Sequence, residues 1–489
     1  MLGSTTMEYT GPTTLFIGGE WTEAHSGETI ETVDPATEDP YATVELADGS
    51  DVDAAVAAAE AAVERGGAWR SMAPDERSRR MHAMADAIAE MKDEITMVES
   101  HDNGKTPFEA GLEIDLVVDT FRYYAGWADK VRGREIPVEA GRLDYTRREP
   151  VGVTAHISPW NYPFQLAGRS VAPALATGNS VVLKPSSVTP LSALYYGLAA
   201  EEAGLPDGVM NVVPGSGRDA GSALASHPDV DHVTFTGSTS VGRTIQEQAA
   251  ESVADVTLEL GGKGPALVFP DADLDAATRG IQYGIFMNAG QMCWANSRLL
   301  AHEDVYDEMV DRMATAAENI PIGGGIDDDG RMGPVVNETQ REEILEYVAT
   351  GKREGATVAA GGGIPEEKDE GYYVEPTVFA DVTNDMTIAR EEIFGPVLSV
   401  IEVGDEDEAL EVANDSPYGL TACVWTTDLT RAHTLADRLD YGMVMVNDTP
   451  NTWPQTPFGG TKTSGHGRAQ GEEAVRAYTE VKNVHVNLG

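Results

Sequence analysis

The chain reads as an α/β protein built on a doubly wound parallel sheet, and three observations carry that expectation. From Gly152 onward, apolar runs alternate with helical stretches: VGVTAHISP, an apolar helix through Ala176, SVVLKPS, a helix to Ala203, then VMNVVPG and DHVTFTGS. Strand, turn and helix repeated at this spacing give strands that lie parallel. Hydrophobic residues make up 41%, with Gly and Pro spread throughout, as in ordinary globular proteins. At 489 residues the chain exceeds what one core usually holds, so two or three domains are expected.

The elements before this repeat follow local rules. Leu15–Ala24 predicts an opening strand pair turned by Gly18 and Gly19. Ser50 is placed to cap an alanine-rich helix over Asp51–Arg65, whose first turn is acidic. Pro74 opens a long helix with apolar positions at helical spacing through Met97, and HDNGKT at 101–106 breaks it. The next helix interleaves Phe121, Tyr123, Tyr124 and Trp127, a group suited to core or subunit packing. Leu143–Pro150 is strand-like, a linker or bridging strand.

Charge is the most unusual bulk property. Asp and Glu number 81 against 34 Lys and Arg, a net of −47, and only nine of the basic residues are Lys. Such a surface repels phosphate backbones, which argues against nucleic acid as a partner. The acidic residues are dispersed over amphipathic segments, with patches at 326–330 and 366–370. Dispersed acid with scarce Lys is the composition of proteins from salt-accumulating halophiles, so a halophilic source is expected. No apolar run approaches the roughly 20 residues of a membrane span, and the N-terminus lacks a signal peptide's basic start and apolar core. A soluble, cytoplasmic chain is expected. Two cysteines, Cys293 and Cys423, make no disulfide framework. Cys423, in TACVWT, reads as core.

Chemistry concentrates around Cys293, in FMNAGQMCWANSR (286–298). A lone Cys among small and polar residues is either a buried structural thiol or a nucleophile. Glu259 stands upstream in LELGGKGP, and Asn161 in ISPWNYPF. A thiol, a carboxylate and a side-chain amide are the parts that acyl chemistry through a thioester needs: attack, water activation and an oxyanion donor. GSGRDAG (215–221) carries one residue too many for G-x-G-x-x-G. FTGSTSVG (235–242) reads as strand, small turn and helix, whose first amides suit a pyrophosphate or simply close a tight turn. The ten His are scattered, with no H-E-x-x-H or Cys/His spacing, and no metal is expected.

SPWNYPF, KPSSVTP, FTGSTSVG, LELGGK, GQMC, EEIFGPV and PFGGTKTSGHGR occur in one order along the chain. In that order and spacing the chain resembles the aldehyde dehydrogenase superfamily from about residue 15 to its end. The resemblance implies an NAD(P)-binding domain (1–127 and 150–261), a catalytic domain (262–463) and a small β oligomerisation domain (128–149 and 470–489). It also implies a homodimer or homotetramer. Cys293 would be the nucleophile and Glu259 the general base, and the Asn161 side chain with the Cys293 amide would form the oxyanion hole. Lys184 and Ser187 would lie at the adenine ribose, Trp160 and Ser238 near the pyrophosphate, and Glu392 and Phe394 at the nicotinamide ribose. Ile157, Gly217 and Gly237 complete the implied cofactor-binding set.

Two positions depart from the family pattern. Many NAD-specific relatives carry Glu where Ser187 stands; a serine does not repel a 2′-phosphate, so NADP is admitted beside NAD. A second carboxylate that some relatives hold is Ala469 here, leaving proton transfer to Glu259. Arg169 occupies a position where semialdehyde-oxidising relatives pair an arginine with the substrate carboxylate, a bidentate task. The surrounding RSVAPALA and NDTPNTWPQTPFGG look more like the benzaldehyde and vanillin dehydrogenase branch. Arg169 is equally suited to a structural tie within its helix. Trp294 and Trp453 would wall an aromatic or apolar pocket, or serve as scaffold. The Trp that often lines a choline-type box is missing at the Arg169 position. Two alternatives remain: a CoA-acylating semialdehyde dehydrogenase, which usually lacks the base carboxylate, and a non-catalytic member, which would have lost Cys293, Glu259 or Asn161.

With so large a net charge, folding should depend on screening, which shortens to about 3 Å in 1 M salt. Far-UV circular dichroism at falling KCl should show loss of helix in dilute buffer. A spectrum unchanged from molar to millimolar salt removes the halophilic reading.

Overall fold

The structure is a computed structural model and describes residues 9–324 and 330–489. The first eight residues and nearly all of the acidic patch at 326–330 lie outside the described residues. Two large hydrophobic cores lie each under its own sheet, and a small third cluster of Leu420, Phe458 and Ala469 packs against Cys293 and Trp294.

The first sheet has eight strands in the order Gly465–His466, Asp255–Glu259, His232–Thr236, Val153–Ile157, Ser180–Lys184, Met210–Val212, Leu15–Ile17, Glu20–Thr22. Its five central strands pair in parallel, with Val233 beside Ala155 and Ala155 beside Val182. The opening hairpin adds antiparallel at one edge, turned by Gly18 (φ 63°) and Gly19 (φ 86°), a backbone that only glycine adopts without strain. The chain leaves Val153–Ile157 toward one edge and returns to its other side with His232–Thr236. That reversal is a topological switch point, where a crevice opens beyond the carboxyl ends of the strands.

The second sheet has seven strands: Thr357–Ala360, Thr377–Ala380, Val397–Val403, Arg298–His302, Pro265–Val268, Thr421–Trp425, Met443–Val446. All pair in parallel except the first, an antiparallel edge. Arg298 is fully buried, and its guanidinium donates to the Lys263, Val412 and Ala413 carbonyls, to Asn384 Oδ1 and to the Tyr441 hydroxyl. One side chain thereby ties four segments of this half together.

A three-stranded antiparallel sheet, Thr479–Asn487, Arg142–Pro150 and Glu135–Ile136, stands apart from both cores. The Leu143–Pro150 run is therefore a strand, paired along its length with the C-terminal segment. The helix before it, Gly471–Ala477, packs Ala474 and Val475 into the first core, so 470–489 divides into a core helix and a strand.

Two helix expectations are corrected. The cap of the alanine-rich helix is Asp48 rather than Ser50. Its carboxylate accepts from the Ser50 and Asp51 amides (2.7 and 3.3 Å), and the Asp51 carboxylate returns to the Asp48 amide at 2.9 Å. A carboxylate that reaches two free first-turn amides, answered by a second acid, outcompetes one hydroxyl. The long helix from Pro74 is two helices, Pro74–Glu90 and Lys92–Asn103, because Met91 sits at φ −89°, ψ 5°. The second ends at Gly104 (φ 89°), within the expected breaker HDNGKT. Phe121 and Tyr124 are fully buried in the first core, as their packing role requires. Cys423 is buried in its strand, its thiol 3.3 Å from Asn296 Oδ1. Among the described residues, no helix is long and apolar enough to cross a membrane.

Candidate active site

The site lies on the seam between the two halves. Asn161 follows the strand Val153–Ile157, Gly237 and Ser238 follow His232–Thr236, and Glu259 ends Asp255–Glu259. These belong to the first sheet. Cys293 and Glu392 come from loops of the second half. A cavity of about 270 Å3 gathers Trp160, Asn161, Gly237, Ser238, Glu259, Cys293, Glu392 and Phe394 in its wall.

The loop carrying Cys293 is wound left-handed, with Asn288 (φ 47°), Ala289 (φ 50°) and Gly290 (φ 72°) in succession. Hydrogen bonds hold it there. The Asn288 amide donates to Glu109 Oε1 at 2.8 Å, and Asn288 Nδ2 donates to the Asn161 carbonyl at 2.9 Å. Asn161 Nδ2 donates to the Gln291 carbonyl at 2.8 Å, and Gln291 Oε1 accepts from the Val336 amide. The Cys293 loop and the Asn161 loop are thus stitched in both directions. Asn161 keeps a second amide hydrogen beyond the one given to Gln291.

Beneath them, the helix Pro163–Thr177 has its first turn anchored by acids. Glu99 accepts from the Phe164 amide at 3.2 Å and Glu113 from the Gln165 amide at 2.9 Å. Both carboxylates share the buried ammonium of Lys105, which lies over the Tyr162 ring at 4.4 Å. Acids at a helix N-terminus meet its free amides and positive end.

The glycine pair before Lys263 explains itself by space. A Cβ on Gly262 would lie 2.2 Å from the Cys293 carbonyl oxygen, and one on Gly261 would lie 2.0 Å from Glu392 Oε2. The Gly262 amide donates to Glu392 Oε1 at 2.8 Å. Two of the cavity's groups therefore rest directly on bare backbone.

Electrostatics at the three groups differ. Burial pushes the Cys293 thiol up to about 12; Arg169 opposes it, while Glu392 and Glu259 add to it. At neutral pH the sulfur is therefore a thiol at rest. Burial pushes Glu259 up to about 8, against the pull of Arg169 and Arg468. Neither Glu259 oxygen has a hydrogen-bond partner among the described residues. A carboxyl so raised is protonated below that pH and accepts a proton only as pH rises through it. Burial also raises Glu392, to about 7.

Four expected cofactor residues, Ile157, Lys184, Ser187 and Gly217, lie outside this cavity's wall. Ile157 ends its strand and is buried. Lys184 is buried, its ammonium donating to the Pro185 and Gly215 carbonyls at 2.5 and 3.0 Å, and burial pushes it down to about 8. Ser187 is partly exposed beyond it. Gly217 is exposed and a Cβ there would meet nothing. Ser238 caps the helix Thr239–Ala249, whose N-terminus opens beside Gly237. Trp160 meets the Phe394 ring edge-on at 5.2 Å.

Arg169 is buried, and its guanidinium lies 4.3 Å over the Phe458 ring. Its one hydrogen bond among the described residues runs to Thr236 Oγ1 at 3.4 Å. It helps line a chamber of about 20 Å3 with Cys293, Trp294, Tyr162 and Phe458. Trp294 does reach this wall. Trp453 does not; it is 48% exposed on the loop before Pro454 and lines neither cavity. Phe458, five residues on, takes the aromatic place instead, and PFGG was the signal for it. Among the described residues, no three His, Cys, Asp or Glu side chains converge as a metal site.

The family model for the aldehyde dehydrogenase family matches residues 21–484. The chain belongs to this family. Human mitochondrial aldehyde dehydrogenase is 46% identical over 477 residues, covering 97% of this chain and 92% of that one. The NAD+ complex of aldehyde dehydrogenase from Bacillus cereus is 47% identical with a TM-score of 0.95, over 98% of this chain and 97% of that one. Betaine aldehyde dehydrogenase from Staphylococcus aureus, solved with NAD+, is 37% identical with a TM-score of 0.96, covering 98% and 95%. The fold is that of the aldehyde dehydrogenases, and the protein is an oxidoreductase acting on aldehydes.

The raised thiol generates a prediction for the protein without dinucleotide. Alkylation of Cys293 by iodoacetamide should accelerate about tenfold per pH unit from 7 to 10, since the thiolate fraction grows so below its pKa. A rate that levels off by pH 8 removes the resting thiol. Cys423, buried in its strand, serves as the internal control by mass spectrometry.

Proposed function

We propose that this aldehyde dehydrogenase oxidises its substrate to the carboxylic acid through a thiohemiacetal and a thioester on Cys293, with NAD or NADP as oxidant. The observation that carries the reading is the common cavity that holds Cys293, Glu259 and Asn161. The Cys293 thiol gives its proton to the Glu259 carboxylate, which passes it on to solvent, and the thiolate sulfur adds to the aldehyde carbon. The alkoxide that forms is met by the free Asn161 amide hydrogen and the Cys293 backbone amide, each donor worth about 3 kcal/mol in such sites. When bound, the dinucleotide supplies the hydride acceptor that makes collapse to a thioester possible. Glu259, as carboxylate, then draws a proton from water attacking the thioester, and the acid is released. A carboxylate without fixed hydrogen bonds is free to swing to that water.

The residues present fit a dinucleotide. The helix N-terminus at Ser238 opens beside side-chain-free Gly237 at the sheet's switch point, where phosphate is well received. Lys184 and Ser187 would hold the adenine ribose, with Ile157 and Gly217 alongside; Trp160 would lie with Ser238 near the pyrophosphate, and Glu392 and Phe394 would hold the nicotinamide ribose. Ser187 carries no charge against a 2′-phosphate, so NADP is accepted beside NAD. Residues 1–127 with 150–261 would form this domain, 262–463 the catalytic one, and the strands of 128–149 and 479–489 the oligomerisation sheet. Val138, Val481 and Leu488 expose apolar surface there, which supports a homodimer or homotetramer. The acidic composition supports a halophilic setting.

For the substrate, a semialdehyde whose far end is a carboxylate fits best. Arg169 sits beside Cys293 with most of its N–H donors unengaged, and a guanidinium fork suits a carboxylate. An aromatic aldehyde is the second reading, favoured by the Trp294 and Phe458 rings 5.9 Å apart in the same wall. Betaine aldehyde is disfavoured, because a cation would face Arg169. CoA acylation is disfavoured by the presence of Glu259, and a non-catalytic role by the intact triad.

Initial rates in about 2–3 M KCl with succinic semialdehyde, benzaldehyde, betaine aldehyde and propanal, each with NAD and NADP, test this. Succinic semialdehyde should win, and Arg169→Ala should raise its KM selectively. Benzaldehyde winning, with KM indifferent to Arg169→Ala, makes the arginine structural. Glu259→Gln should give a burst of reduced dinucleotide equal to the sites, then turnover slowed at least about 100-fold. Normal steady turnover in that variant removes Glu259 as the base.

A further inference from the structure

A second cavity lies elsewhere, and its charge is opposite to that of the chain. It measures about 660 Å3 and shares no wall residue with the Cys293 cavity. Its wall includes Arg65, Arg70, Arg77, Arg147, Arg148 and Lys482, and one carboxylate, Glu149. Six of the chain's 34 basic side chains therefore converge on one hollow in a protein of net charge −47.

The internal pairing leaves much of this charge over. Glu149 is engaged by Lys482 and, at 3.8 Å, by Arg70. Arg148 donates to Thr479 Oγ1 at 2.8 Å, a neutral partner. Arg65 and Arg147 are exposed and make no ion pair among the described residues. Arg77 is 9% exposed; it donates to the Ala176 and Met72 carbonyls, and its Nε is buried without a partner. Burial lowers its pKa with no carboxylate nearby to offset the cost. Guanidinium groups gathered this closely repel one another, and with acids so abundant on the surface, internal neutralisation would have been easy. The set is instead left open to an anion from outside.

We propose that this cavity binds a small polyanion, a compound with two or more phosphate or carboxylate groups, at a site distinct from the aldehyde and dinucleotide sites. Planar guanidinium forks recognise such oxyanions in pairs of parallel hydrogen bonds, which a halide cannot return. The occupant would join the connection between the helices Gly49–Val63 and Pro74–Glu90 to the paired strands Arg142–Pro150 and Thr479–Asn487.

Isothermal titration in about 1 M KCl, where chloride already competes and long-range attraction is screened, tests the proposal. Pyrophosphate and citrate are the probes, with dinucleotide in excess so that its own phosphate site is filled. Either probe should bind once per chain. In the Arg65→Glu, Arg147→Glu double variant, binding should weaken at least about tenfold while turnover of aldehyde stays unchanged. Arg65→Gln with Arg147→Gln should act in the same direction if charge reversal disturbs folding. Failure of both probes to bind overturns the site, as does binding that both variants leave undiminished. A variant that alters the mass by light scattering, with no probe bound by the parent, assigns the hollow to acidic side chains of a second copy and equally overturns it.

Discussion

The geometry of the site depends on a stretch of backbone that would not hold its shape alone. Asn288 and Ala289 both lie in the left-handed region, which costs an L-residue roughly 1–2 kcal/mol each. What holds them there comes from the other half of the chain: Glu109 on the Asn288 amide, and the Asn161 carbonyl on its side chain. Bare backbone closes the other side, where Gly290 meets the Gly395 carbonyl and Gly262 meets that of Cys293. The turn delivers the sulfur into the cavity, and the partners that stabilise the turn also fix the amide that faces it. The Cys293 loop and the Asn161 side chain are set by one network rather than two.

The second constraint is burial of charge. Glu259, Cys293 and Glu392 share one cavity, and each is pushed toward its neutral form. Arg169 is the cation that opposes this at both Glu259 and Cys293. Its weak hydrogen bonding leaves it polarising the chamber rather than closing a salt bridge. Stacking on Phe458 supplies the packing that a fixed ion pair would otherwise provide.

Much of this was legible in the amino-acid order, because the informative residues stand in short, rigid contexts. The strand and helix alternation from Gly152 predicted a parallel sheet, and the parallel pairings follow it closely. Cys293, Glu259 and Asn161 were picked out by chemistry and then found on one cavity. What escaped lies in contacts between distant segments. Glu109, and Lys105 with Glu99 and Glu113, carry no local sign of burial in the sequence, yet they are buried beneath the site. Trp453 stands out in the sequence by ring size, but the path of the loop turns Phe458 to the chamber and leaves Trp453 exposed. Asp48 was passed over for Ser50 because the choice between neighbouring caps depends on which one reaches two amides. The split at Met91 has no marker in the apolar spacing, which runs through it unbroken.

Because Asn161 and Glu259 ride on one sheet and Cys293 and Glu392 on the other, the site belongs to neither core. It exists only while the two halves are docked, so competence is a property of the joint. A misplacement of about 1 Å at that joint would slow the chemistry by about 100-fold while both sheets stayed intact. A preparation can therefore keep its full secondary structure and compactness and yet hold dead sites, so structural integrity and active fraction are separate quantities in this protein.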